Sequence, residues 1–449
     1  MLEVAKSIIR DTIQPDDHIL IGVSGGADSV ALVHLLYSMG YTLTLVHINF
    51  HLRGAESDRD EAFVRQIHQD KFPKSSLSII HTDTMSVAKS NGISIEMAAR
   101  DIRYQLFAEI AQERKCQWIA VGHHADDQIE TALLNLTRET GIKGLAGMKC
   151  VSGNIFRPFL TTWKSDLLRY LNAVGLDYVT DSTNLEDNVK RNYIRHHLIR
   201  SFEALNPSFK HGLLRSISHF REEEEVLDQS LNDFKNGYIN SAEDSILLAP
   251  IVESNRLLFL LKRYLVEEGF NYTQAQNILQ AWDNNKTTTF EGKGNLIQIY
   301  RKKLFVINHM LNDYYAPLHH TYNIPNIGKI TLDGTYITGS LGIDNNIAKK
   351  DLLVRNAQKT DTFQPFGMRN GRKPLFTYLG EKGIPEYYRG YCPVLTLGEE
   401  VIAVIPFEVS ETAKYSNAKD AIYLHFEAAQ TPIGSILYNY SKAKRQRGI

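Results

Sequence analysis

Ser24-Gly25-Gly26-Ala27-Asp28-Ser29 lies between two stretches whose patterns are plain. Before it, His18-Ile19-Leu20-Ile21-Gly22-Val23 is a short apolar run, the length of a buried strand. After it, Leu32, Leu35, Leu36 and Met39 recur at i, i+3, i+4 and i+7, one face of a helix. Gly40 follows, where a helix ends in a left-handed residue. Thr42-Leu43-Thr44-Leu45-Val46-His47-Ile48 then reads as a second strand. Strand, glycine-rich turn, helix and strand make a parallel βαβ unit.

The turn has a physical task. Gly25 and Gly26 lack a Cβ, so the backbone bends sharply and a ligand can approach closely. Unpaired N–H groups at the mouth of the next helix favour phosphate, and Ser24 and Ser29 add hydroxyl donors. A Walker A loop needs a lysine that is absent here, and the dinucleotide pattern G-x-G-x-x-G is not matched. Asp28 beside a polyphosphate is repelled unless a cation lies between them, which predicts Mg²⁺ at Asp28. The plainer alternative is an ordinary turn with Asp28 as a favourable first-turn charge.

The 449 residues suggest about three domains, and a hydrophobic content of 43% is ample for packed cores. Three scattered cysteines, Cys116, Cys150 and Cys392, predict a reducing, cytoplasmic setting without a disulfide framework. The absence of C-x-x-C speaks against a cysteine-held zinc or iron–sulfur site. No apolar run reaches the length of a membrane span. With a formal net charge of −1, a nucleic acid has to be met by local basic patches.

Along the chain, residues 1–14 read as a lead-in helix. The second strand runs into His47-Ile48-Asn49-Phe50-His51-Leu52-Arg53-Gly54. Extended, the two histidines lie about 13 Å apart at 3.3 Å per residue, too far to share an ion. Ser57 with Asp60 fits a capping box for the following helix. A third strand is expected at 77–81. A long helix carrying Glu96, Ala98, Ala99, Arg100, Arg103 and Tyr104 follows. Arg100 is either a forked donor to phosphate or carboxylate, or half of a surface pair with Glu96. A fourth strand at 118–122 ends in His123-His124-Ala125-Asp126-Asp127-Gln128-Ile129-Glu130-Thr131. In a helix from Ala125, Asp127, Glu130 and Thr131 share one face, where two carboxylates can hold a cation or a substrate ammonium. Asp126 reads as a plain first-turn acid, and His123 alternatively as a core histidine. Asp181-Ser182-Thr183-Asn184 precedes Arg191-Asn192-Tyr193-Ile194-Arg195-His196-His197-Leu198-Ile199-Arg200, a basic, aromatic-bearing segment suited to RNA. Residues 208–285 are helical in pattern, and the run of acids at 222–225 reads as a solvated face. A hairpin is expected around residues 292–295.

S-G-G-x-D-S after a strand resembles the pyrophosphate loop of the N-type ATP pyrophosphatases, which cleave ATP between the α- and β-phosphates. Four further stretches narrow the resemblance to the tRNA(Ile)-lysidine synthetases. They are His47-x-x-x-His51-Leu52-Arg53-Gly54, Glu96-x-Ala-Ala-Arg100-x-x-Arg103-Tyr104, His123-His124-x-x-Asp127-x-x-Glu130-Thr131, and Asp181-x-Thr-Asn with Arg191-Asn-x-Ile-Arg195-His. Arg138-Glu139-Thr140-Gly141 resembles the family's T-R-G-x-G loop, with Glu139 where glycine is common. Pro365-Phe366-Gly367-Met368, Lys373-Pro374-Leu375 and the residues to Leu395 resemble the family's small C-terminal domain. There Pro406-Phe407-Glu408-Val409-Ser410 departs from the family's Gly-x-Arg-Ile-Ser turn and lacks its arginine.

The resemblance implies an α/β fold. A Rossmann-like parallel sheet of the PP-loop type spans residues 1–205, followed by a mainly helical, tRNA-contacting middle domain (206–312). A small α+β tRNA-binding domain (320–432) and a basic tail (433–449) complete the chain. It implies ATP-dependent adenylation of the C2 oxygen of the wobble cytidine in the CAU anticodon of tRNA(Ile), then attack by free L-lysine. Asp28, Asp127, Glu130 and Arg100 would be catalytic, with Mg²⁺ on Asp28. Residues 24–29, His47, His51, Arg100 and His123 would hold ATP. Arg191, Arg195, Arg200, Lys373, Lys382 and Arg389 would meet RNA, Arg195 also lying on phosphate. A homodimer is left open. Other readings stand beside this one: a tRNA thiolase, a small-molecule amide synthetase with the same loop, or an RNA-binding protein with an inactive ATP site.

Overall fold

The computed structural model describes residues 2–138, 140–180, 190–282, 287–307, 311–368 and 371–442. The chain divides into two compact units, Met1–Leu227 and Asp228–Ile449. The motif at residues 181–184, Glu139 and the basic residues beyond Lys442 lie outside the described residues.

In the first unit, helix α1 (Glu3–Thr12) leads into β1 (His18–Gly22), α2 (Ala27–Ser38) and β2 (Thr42–Asn49). Then come α3 (Ala55–Lys71), β3 (Ser76–His81), α4 (Thr84–Asn91), α5 (Ile95–Glu113), β4 (Trp118–Ala120) and α6 (Ala125–Leu136). A short helix α7 (Ile142–Leu145) precedes the hairpin of β5 (Val151–Ser152) and β6 (Ile155–Phe156), and α8 (Lys164–Val174) follows. The strands form one sheet in the order β3-β2-β1-β4-β6-β5, parallel except for the edge strand β5.

The continuous apolar run of β1 follows from its central place. Ile19 and Ile21 pack into the core under α2, while Leu20 faces Phe107, Ile110 and Ile119 on the other side. A strand covered on both faces has no polar side to show. For the same reason α2 buries more than the stripe at 32, 35 and 36: Val30, Ala31 and Val33 are buried too.

One expected cap is absent. The chain enters α3 through Gly54 at φ +51. Ser57 accepts the Arg53 N–H at 3.2 Å, and Asp60 pairs with Arg53 and Arg59. The Ser57–Asp60 capping box is therefore replaced by a knot around Arg53.

After residue 189 the chain forms α9 (Lys190–Tyr193), a π turn (Ile194–Leu198), α10 (Ile199–Leu205) and α11 (Phe209–Tyr238). Ile194, Ile199 and Ile217 join Ile129 and Leu133 in a small separate core, which fixes this basic segment to α6. The acidic run 222–225 is not wholly solvated: Glu224 is buried, because it lies on the inner side of α11 at i+7 from Ile217.

In the second unit, helices Asn255–Glu267 and Tyr272–Gln280 pack on a five-stranded sheet with neighbouring strands antiparallel. The region expected to be mainly helical thus carries a sheet as well. The hairpin around 292–295 is its Thr288–Glu291 and Leu296–Tyr300 pair, in register at Glu291 and Leu296. Beyond residue 311, antiparallel sheets of five and four strands share one core with the helix Pro432–Lys442, through Ile433, Ile436 and Leu437. Residues 433–442, part of the segment read as a tail, therefore belong to a packed helix.

Candidate active site

The chain leaves β1 toward one side of the sheet and β4 toward the other, so a crevice opens beyond the carboxyl ends of these two strands. The turn after β1 and the paired histidines after β4 both sit there. Gly25 takes φ +87, a left-handed backbone that glycine accepts without strain. The Gly25 carbonyl accepts the Val179 N–H at 2.9 Å. Ser24 Oγ accepts the Gly26 N–H at 3.3 Å, and Ser29 Oγ donates to the Gly26 carbonyl at 2.9 Å. The cap position of α2 is Gly26, which offers no side-chain acceptor, so the first N–H groups of the helix stay open to a ligand. At Gly122 a Cβ would meet the Asp28 backbone at 3.0 Å, so only glycine lets the end of β4 come this near the turn.

Asp28 is not alone. Its Oδ1 accepts from Lys164 Nζ at 2.6 Å, and its Oδ2 lies 3.7 Å from His124 Nε2. The same imidazole nitrogen is 3.6 Å from Asp127 Oδ2, so His124 stands between the two carboxylates. Asp127 also accepts the His124 N–H at 2.9 Å and so caps α6. His123 is held neutral: burial, reinforced by Arg157, Arg191 and Arg100 against the pull of Asp127, pushes its pKa down to about 4.

Glu130 is 1% exposed. Its Oε1 accepts from Arg195 Nε at 2.6 Å, while its buried Oε2 has no hydrogen-bond partner. Burial raises its pKa against the opposing effect of Arg195. Arg191 donates to Thr131 Oγ1 at 3.0 Å. The acidic face of α6 thus meets the arginines of the basic segment directly. Asp126 is more than a first-turn charge. It accepts the Lys164 N–H at 3.0 Å and the Lys210 ammonium at 2.5 Å, fastening α8 and α11 to α6.

Residues 2–202 match the PP-loop domain family, and residues 352–426 match the TilS substrate C-terminal domain. The tRNA(Ile)-lysidine synthase of Bacteroides thetaiotaomicron is 35% identical over 411 residues, covering 89% of this chain and 94% of the relative. The chain belongs to the tRNA(Ile)-lysidine synthase family. Synthases of the same name from Parabacteroides distasonis and Porphyromonas gingivalis are 31% and 30% identical over 439 residues each. They cover 90% and 89% of this chain and 95% and 94% of their own lengths.

The remaining residues singled out in the sequence lie at varying depth in this synthase. His47 is buried behind the turn, with Nδ1 2.8 Å from the Val23 carbonyl, and burial lowers its pKa. His51 stacks on His81, with Nε2 2.9 Å from His81 Nδ1. Arg100 is exposed, lies over the Tyr104 ring at 5.1 Å and makes no pair with Glu96 among the described residues. Arg200 is exposed on α10.

In the second unit, Lys373 pairs with Glu381 at 2.6 Å. Lys382 is engaged by Glu408 at 3.0 Å and lies over Tyr378, with its side chain 12% exposed. Arg389 donates to the Ile384 carbonyl at 3.0 Å. Glu408, in the stretch that departs from the family pattern, also accepts from Tyr378 Oη at 2.6 Å and from the Phe366 N–H at 3.0 Å. Lys164, His124 and Arg157 are site residues that the sequence reading passed over. Lys164 opens α8, and nothing in the sequence pattern reveals that its side chain reaches back to Asp28.

Proposed function

We propose that this synthase converts the wobble cytidine of the CAU anticodon of tRNA(Ile) to lysidine, using ATP and free L-lysine. The observation that carries the reading is the meeting of three groups in one crevice: open amides at α2, the Asp28–Lys164 pair, and the buried Glu130. In the first step the cytidine C2 oxygen attacks the α-phosphorus and pyrophosphate leaves. In the second, the lysine ε-amine attacks C2 and AMP leaves, with one proton released. The α2 amides and Lys164 stabilise the departing pyrophosphate, as fixed donors aimed at developing charge do. Arg100, exposed near His123, is assigned to phosphate. Asp127 and the free Oε2 of Glu130 are assigned to the incoming ammonium.

Mg²⁺ fits as a partner of ATP here. Among the described residues Asp28 Oδ2 accepts no hydrogen bond, His124 Nε2 lying 3.7 Å away, and a magnesium ion held mainly by phosphate oxygens and water needs only one or two carboxylates. Among the described residues no group of three or more His, Cys, Asp or Glu could hold a metal, so a site made by protein alone is not proposed. When bound, the ion would neutralise phosphate charge. Arg191, Arg195 and Arg200 are assigned to the RNA, as are Lys373, Lys382 and Arg389, whose internal partners would have to be exchanged for phosphate. Three free cysteines suit a cytoplasmic enzyme.

The test is mass spectrometry of nucleosides from a CAU tRNA(Ile) transcript after incubation with protein, Mg²⁺, ATP and lysine. The expected product is cytidine carrying a lysyl group, absent without lysine and absent with Asp28→Ala. Unchanged cytidine with pyrophosphate released would retain adenylation and reject lysine as the nucleophile.

A further inference from the structure

A second cationic feature stands beside the crevice. Lys143, Lys149, Arg157, Arg221 and Glu224 line a cavity of about 430 Å³, together with residues 146–148 and Ser152. Four cations against one carboxylate leave it strongly positive. The two lysines are exposed at its edge and Arg157 is buried in its wall, an arrangement that draws an anion inward.

The walls are built rather than incidental. Gln128, 1% exposed, donates to the Met148 carbonyl at 2.9 Å and accepts the Met148 N–H at 2.7 Å. Arg221 Nη2 donates to the carbonyls of Ala146 and Met148, and Arg157 Nη1 to that of Lys149. Gly147, at φ +66, leaves no room for a Cβ, which would lie 2.5 Å from Gln128 Oε1. Each arginine therefore spends one terminal nitrogen on the loop. Arg157 Nη2 and Arg221 Nη1 bond no protein acceptor among the described residues, so two forked donors remain for an oxyanion.

We propose that this cavity seats a phosphoryl group, and that its occupant is a backbone phosphate of the substrate RNA. The proposal rests on the RNA-modifying reading above. No residue of the turn 24–29 lines the cavity, so it is separate from the amides assigned to ATP. Arg157 links it to the reaction crevice, because the same side chain acts electrostatically on His123. An RNA whose reactive base enters that crevice brings neighbouring backbone phosphates within reach. A phosphate held here would position the strand without reading its sequence.

The test uses the full-length Lys143→Gln protein, which leaves the loop hydrogen bonds named above and the catalytic residues intact. Binding of the CAU tRNA(Ile) transcript is measured without ATP or lysine, from 50 to 300 mM KCl. The variant is expected to bind about three- to tenfold more weakly at low salt. Its plot of log affinity against log salt should be shallower by about 1, the signature of a lost phosphate contact. A methylphosphonate placed at successive anticodon-arm positions should weaken the wild type at one position and leave the variant unaffected there. An unchanged slope with no such position overturns the proposal. An unchanged slope with weaker inhibition by pyrophosphate reassigns the cavity to the released product and overturns the RNA assignment. Because binding is read without turnover, a wild type that makes no lysidine but shows the slope difference would reject the proposed reaction and keep the cavity.

Discussion

Replacing His123 with glutamine tests the electrostatics of the crevice directly. Burial among Arg157, Arg191 and Arg100 holds the imidazole neutral, with a pKa of about 4 against an ordinary value of 6.5. A histidine whose pKa is lowered by folding contributes fully above about pH 6.5. That contribution is lost as pH falls toward 4, because the unfolded chain then binds the extra proton. Each unit of difference is worth about 1.4 kcal/mol, so the full loss approaches about 3 kcal/mol, of which about 2 kcal/mol falls between pH 7 and pH 5. Glutamine does not titrate, so the gap between wild type and His123→Gln should shift by that amount against the wild type over the same interval. Urea unfolding in a Trp282→Phe background lets Trp118 and Trp163 report on the first unit. A gap that stays constant from pH 7 to pH 5 would refute a neutral, desolvated His123.

Lys164→Met removes the cation from Asp28 at a half-exposed position. The Michaelis constant for ATP should rise about tenfold, as expected for a charge-assisted hydrogen bond worth about 1.5–3 kcal/mol, with RNA affinity unchanged. Glu130→Ala leaves the Arg195 guanidinium without its buried carboxylate. The first unit should lose about 3–5 kcal/mol by chemical denaturation, and a Glu130→Ala/Arg195→Ala double variant should recover part of that loss. Asp126→Ala unfastens α8 and α11, so a loss of about 1–3 kcal/mol is expected, with proteolysis revealing looser segments near Lys164 and Lys210.

The βαβ unit and the turn are legible in the sequence because local rules govern them. Two glycines, a strand-length apolar run and a helical stripe each report on their own neighbourhood. Gly25 has to adopt φ +87, and only glycine does so without strain. The partners across the site are not legible in this way. Lys164 reaches Asp28 over 136 positions of sequence, and Arg195 reaches Glu130 over 65. No periodicity encodes such a meeting. The Ser57–Asp60 pattern misleads because a capping box needs the chain to enter the helix at Ser57, whereas α3 starts at Ala55 behind a left-handed Gly54. Lys382 and Arg389 are plainly cations in the sequence. That Glu408 engages Lys382 depends on a strand 26 positions away being brought to it by folding. The bond from Arg389 to the Ile384 carbonyl, though only five residues apart, follows from the bend between two short helices and not from any periodicity.

The π turn at Ile194–Leu198 divides its helix into two angular frames. Each residue of an α-helix advances about 100° around the axis, and a π turn takes up one residue more than an α turn. Wound as an unbroken α-helix with no residue removed, 194–198 would swing everything beyond it by about 100°. Ile199 would leave the core it shares with Ile129 and Ile217, while Arg191 kept its hold on Thr131. The extra residue thus acts as an angular offset, by which the arginines are aimed independently of the face that anchors their helix.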